Sequence, residues 1–192
     1  MMKLSPIFAR VLLATAATAV SMAAWADQKI VPAQSEIAFV IKQMGVPVEG
    51  RFKKFDAQIS FDPAKPETSK MAFTVDTGSA SMGAPESDAE LPKSAWFNVS
   101  KFPQATFASS SVKGLGGGKF EVSGKLNIKG NVRDVVVPVV MTQSGPNSTA
   151  TGSFSLKRLT FKVGEGEWTD TSMVADDVQV KFKLTLTGVG KL

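Results

Sequence analysis

The chain has 192 residues, a formal net charge of +5, and no histidine, cysteine or tyrosine. Those absences exclude a histidine general base, a thiol nucleophile, a His/Cys metal centre and any disulfide. Basic and acidic residues are interleaved rather than gathered into a run, which reads as a solvated surface and gives no nucleic-acid stripe.

The first 26 residues read as a secretory leader. Lys3 and Arg10 supply positive charge, 11–22 is uncharged and mostly apolar, and Ala24-Trp25-Ala26 is a small-x-small cleavage pattern. The uncharged stretch is shorter than the ~20 residues a spanning helix needs. The expected mature chain starts at Asp27, is one domain over 27–192, and is free in the periplasm without an anchor.

Beyond the leader, apolar and polar residues alternate with a period of two, the mark of strands with one dry face. Ile37, Phe39 and Ile41 share one face, as do Phe55, Ala57, Ile59 and Phe61, then Met71, Phe73 and Val75. Residues 83–103 break the pattern and hold a short helix over 85–91, with acidic residues in its first turn. A hairpin follows, with strands over 104–113 and 119–128 joined by a turn at 114–118. Its second strand alternates Phe120, Val122, Gly124, Leu126 and Ile128. The β-branched run 132–141 contains Pro138, which points to an edge or a bulge. A weaker strand spans 149–156, and 157–175 is a long connection. The last strand is the clearest: Val178, Val180, Phe182, Leu184 and Leu186 alternate with Gln179, Lys181, Lys183, Thr185 and Thr187.

Eight strands with hairpin-length links predict an all-β antiparallel meander. It would close into an eight-stranded, lipocalin-like β-barrel with one short helical loop. Such a barrel is filled by side chains or holds one small ligand. Gly124 and Ala57 would leave room inside, yet a packed core fits the same pattern.

Several segments carry a family resemblance. They are Ser35-Glu36-Ile37-Ala38-Phe39-Val40-Ile41, Gly50-Arg51-Phe52-Lys53-Lys54-Phe55, 91–107, Gly124-Lys125-Leu126-Asn127-Ile128-Lys129-Gly130, and 157–168. In this order they resemble the YceI-like family of periplasmic lipid-binding proteins. The resemblance implies a barrel around a long isoprenoid chain, such as a prenyl quinone or polyprenyl compound, or around another amphiphilic lipid. It implies a homodimer as well. Residues 164–178 are similar to members associated with membrane cytochromes of the b561 type, which would make such a cytochrome a partner. Gln34 and Gln43 stand where many members carry histidine, and 87–91 departs from the family's pattern, so no histidine-linked role carries over.

The residues assigned to the lipid on this reading are inward-facing strand positions together with loop aromatics from the family segments. On strands they are Ile37, Phe39, Ile41, Phe52, Phe73, Phe107, Leu126, Ile128, Phe182 and Leu184; on loops, Phe97, Phe161 and Trp168. Trp168 would cap the barrel end or fill a core gap. Arg158, at a strand end, would meet a headgroup at the barrel mouth or pair with Asp88, Glu90 or another loop carboxylate. Glu165, Glu167 and Asp170, like Glu86, Asp88 and Glu90, lack the spacing of a calcium loop, so no metal is expected. Ser109 to Ser111 have no histidine to activate them. The reading is a binding protein without cofactor or catalysis.

Overall fold

Alternation of dry and wet side chains turns more than half of the described residues into strand. The computed structural model describes residues 28–192; the expected leader and cleavage site lie outside them. Eleven antiparallel strands form one sheet. They are β1 (Lys29–Ile30), β2 (Glu36–Gln43), β3 (Val46–Phe52), β4 (Phe55–Ser60), β5 (Lys70–Asp76), β6 (Ala80–Ser81), β7 (Gln104–Gly116), β8 (Lys119–Ile128), β9 (Asn131–Ser144), β10 (Asn147–Lys157) and β11 (Val174–Thr187). One short helix, α1 (Pro85–Glu90), sits after β6.

The eight expected strands are all present, and the count is corrected to eleven by β1, β3 and β6. The order is β4-β5-β7-β8-β9-β10-β11-β2-β3-β6, with β1 beside β11. The sheet does not close as a continuous ladder. At one point β3 turns a corner at Lys53-Lys54 into β4, held by Lys53 N–H to the Ser79 carbonyl and Asp76 N–H to the Lys54 carbonyl. Elsewhere β1 and the Gln28 side chain close the seam against β4. The Gln28 amide donates to the Phe61 carbonyl (2.8 Å) and accepts from the Phe61 N–H (2.7 Å).

Pro138 marks the start of a locally open edge and no bulge. β9 is interior, paired with β8 along its length from Asn131 to Val140. Its ladder with β10, however, runs only from Ser144↔Asn147 to Val139↔Gly152, and Pro138 is the next residue. A residue without an N–H suits the point where a ladder stops.

Two apolar clusters fill the interior. One gathers Phe39, Ile41, Leu91, Trp96, Phe161, Val163, Val174 and Val178 beneath the two long connections. The other gathers Phe61, Val112, Phe120, Val122, Met141, Leu184, Leu186 and Val189 at the opposite end.

Candidate functional site

Within the second of these clusters lies a cavity of about 160 Å³. Every strand from β7 to β11 contributes to its wall, with β2, β4 and β5. The lining is apolar throughout: Ile37, Ile59, Phe61, Met71, Phe73, Val75, Phe107, Phe120, Val122, Leu126, Val137, Val139, Met141, Ala150, Phe154, Val180, Phe182, Leu184 and Leu186. Several of these, including Ile37, Phe73, Phe107, Phe154 and Phe182, are only half-buried although they point inward. They face open bore, with Phe73 and Phe107 also in ring contact at 6.4 Å.

Inward glycines shape the interior, though not by leaving empty space. A Cβ on Gly50 would meet the Phe39 ring at 2.3 Å, on Gly124 the Phe107 ring at 2.5 Å, and on Gly152 the Phe182 ring at 2.5 Å. Each glycine lets a ring lie across the wall. Phe39↔Gly50 and Phe182↔Gly152 are direct cross-strand partners.

Of the residues assigned from sequence, the structure brings Ile37, Phe73, Phe107, Leu126, Phe182 and Leu184 together on the cavity wall. It places Phe39, Ile41, Phe52, Phe97, Ile128, Phe161 and Trp168 elsewhere, in or against the packed cluster under the long connections. The wall also uses Phe120, Met141, Phe154 and Val180, none of which was assigned. Their signal was available, since each sits on the dry face of its own strand.

The packed end is a plug made by 91–102 and 158–174, and two buried cations hold it. Arg158 is 2% exposed. Its Nε donates to the Ala175 carbonyl, Nη1 to those of Val163 and Gly164, and Nη2 to those of Trp168 and Val174, at 2.5–3.0 Å. The guanidinium lies over the Trp96 ring, 5.8 Å from its centre, and Trp96 meets Trp168 at 5.4 Å. Arg158 is therefore neither at a mouth nor hydrogen-bonded to a carboxylate, which corrects both expected roles. Burial lowers its pKa, partly opposed by Asp176. Trp168 fills the core gap beside it.

Lys129, which sequence reasoning passed over, is the second cation. It is 7% exposed, at the end of β8 in left-handed backbone. Its Nζ donates to the carbonyls of Ser94 (2.7 Å) and Lys162 (2.7 Å) and to Glu165 Oε2 (2.8 Å), tying the two connections together. The Lys129 ammonium holds the Glu165 carboxyl below its usual range. Asp88 is also held low, accepting from the Ser81 hydroxyl and the Met82 N–H. Asp170 accepts from the Ser172 hydroxyl and N–H, and Glu90 pairs with Lys93. These carboxylates fasten loops. Among the described residues, no three Asp or Glu converge as a metal site would require.

The opposite end is closed by side chains. Phe61 and Phe120 meet edge to face at 5.1 Å beside Val112, Leu186 and Val189. What the arrangement offers chemically is a dry apolar bore without an acid, base or nucleophile in its wall.

Known proteins share this architecture. BcnA of Burkholderia cenocepacia superposes with a TM-score of 0.79 at 46% identity, over 81% of this chain and 98% of that one. A polyisoprenoid-binding domain from Saccharophagus degradans superposes with a TM-score of 0.68 over 84% of this chain and 98% of that one; at 17% identity the likeness is one of fold. A UPF0312 protein of Ectopseudomonas mendocina is 38% identical over 102 residues, so the match spans 53% of this chain and 53% of that relative's length. The profile of the YceI-like domain matches residues 28–186, almost everything described above, and the chain belongs to the YceI-like family.

Proposed function

We propose that this protein is a non-catalytic binder and carrier of a long-chain isoprenoid, or a similar amphiphilic lipid, exported to the periplasm. The observation that carries the reading is the wholly apolar cavity enclosed by the sheet. The polyisoprenoid-binding domain that shares this fold supports the ligand class. Each methylene moved from water into such a wall contributes ~0.8 kcal/mol before ordering costs, so a few isoprene units give useful affinity. The bore as it stands is close to the ~150 Å³ that accepts one benzene-sized ring in an engineered core. A longer chain is accommodated when half-buried rings such as Phe73, Phe107 and Phe182 change rotamer. The leader supports export.

Native mass spectrometry of protein purified without detergent tests the reading. The expected result is a bound isoprenoid-class lipid on a chain beginning at Asp27. An empty protein that also refuses added prenyl quinones and polyprenols overturns it.

A further inference from the structure

The β9–β10 ladder stops at Val139↔Gly152, yet both strands run on, β9 back to Asn131 and β10 forward to Lys157. From there β9 is paired with β8 alone and β10 with β11 alone. The wall is slit. The far end of the slit is tied by side chains: Arg133 Nη2 donates to the Thr160 carbonyl (2.9 Å) and Asn131 Nδ2 to the Phe161 carbonyl (3.0 Å).

The two lips are chemically unlike. On β9 the outer surface is apolar, with Val136 55% and Val140 43% exposed on either side of Pro138. On β10 it is low and polar, with Ser153 and Ser155. Just inside, Val137 and Phe154 already belong to the cavity wall. Apolar side chains thus stand on both the solvent face and the cavity face of the β9 lip.

We propose that this slit is the passage through which the apolar chain of the ligand reaches and leaves the cavity, moving sideways between β9 and β10. The inference rests on the lipid-binding reading above. The other routes are obstructed. One end of the bore is the plug fastened by Arg158 and Lys129; the other is shut by Phe61, Phe120 and Leu186, each no more than 8% exposed. Between laddered strands a chain would have to break hydrogen bonds, whereas across the slit no ladder exists; the β3–β4 corner, also without a ladder, is held by Lys53 N–H to the Ser79 carbonyl and Asp76 N–H to the Lys54 carbonyl. The β1–β4 seam is clasped by Gln28 and opens on a groove where Lys29, Asp56 and Gln58 alternate with Ile30, Ala57 and Ile59, so an apolar chain would meet charge there as well as the clasp. A lateral slit also lets a headgroup stay in water while the tail slides in.

Because the chain has no cysteine, introduced pairs are unique. Continuing the β9–β10 register sets Val136 opposite Ser155, both pointing outward. The test staples V136C/S155C with a short bis-maleimide. Uptake of a dansyl-farnesyl probe from phosphatidylcholine vesicles is then followed by energy transfer from Trp96 and Trp168. The expected result is loading and release slowed about ten-fold or more, with the final amount bound unchanged relative to protein blocked by a monofunctional maleimide. Val136→Asp, which puts a charge on the apolar lip, should slow both rates without a staple. Gln28→Ala should leave them unchanged. Unchanged rates in both the stapled protein and Val136→Asp overturn the passage, and faster uptake in Gln28→Ala beside them places the route at the β1–β4 seam. A parent protein that takes up no probe overturns the lipid-binding reading instead, so the two failures are distinct.

Discussion

Arg158 is as buried as a core phenylalanine, and its charge is answered by five backbone carbonyls. Arg158→Met would strand those carbonyls in a dry plug and should cost roughly 3 kcal/mol or more, since each orphaned buried polar group costs ~1–3. Arg158→Lys should recover only part, because a single ammonium cannot reproduce a planar fork of donors. Urea unfolding checks the order, and the emission of Trp96 and Trp168, which abut the guanidinium, should shift in both variants. Glu165 acts through pH. Its carboxyl is held low by the Lys129 ammonium, so the unfolded chain binds its proton more readily than the folded one. Its contribution is present in full above the ordinary carboxylate range, about pH 4, and is lost as pH falls through the lowered value. The melting temperature should therefore drop below about pH 4, and less steeply in Glu165→Gln. Between about pH 5 and 8 it should be flat, as should lipid affinity, because no histidine titrates there. Neither cation's role was legible in the sequence. Their main partners are backbone carbonyls, which have no residue type to betray them, and the connections that converge on Lys129 lie more than 30 residues away on each side.

At the scale of the strand, β2 carries both kinds of interior. Ile37 faces the cavity, while Phe39, two residues on, is packed against Phe52 at 5.4 Å under the plug. Ile37→Trp should fill the bore and abolish lipid content with little change in melting. Phe39→Trp should instead overpack and cost ~1–3 kcal/mol with the cavity untouched. Gly50→Ala should behave like the second, since its methyl would strike the Phe39 ring. Melting and lipid content measured on the same samples separate the two. This pair also shows what alternation can and cannot tell. Period two says which face a residue presents, so the inward rows of β8 and β11 were legible. It says nothing of height along the bore, so Phe39, Ile41 and Ile128 were assigned to a lipid although a plug occupies their level. β3 escaped notice because Pro47 and Gly50 interrupt its alternation.

For the molecule as a whole, the unclosed sheet has one member on which the rest depends. β11 pairs with β10 on one side and with both β2 and β1 on the other. With no disulfide available, cohesion rests on this sheet and its interior, and unfolding should be a single transition unchanged by reductant; two resolved calorimetric peaks would show that plug and barrel melt separately. The general architecture was readable from composition and alternation, since eight one-sided strands have few ways to bury their dry faces. The slit and the seam were not, because both depend on where ladders end. The position of β11 in the chain has a kinetic consequence. Glu36 meets Lys183 and Lys29 meets Thr187, so β1 has no ladder partner and β2 is paired on one side only, with β3, until the last strand arrives. Closing so long a loop places the protein among slow, high-contact-order folders, with times of roughly milliseconds to seconds. Until then the edges of β1 and β2 that β11 will cover stay open to pairing with other chains, so the hazard of misassembly lasts until the final strand is made.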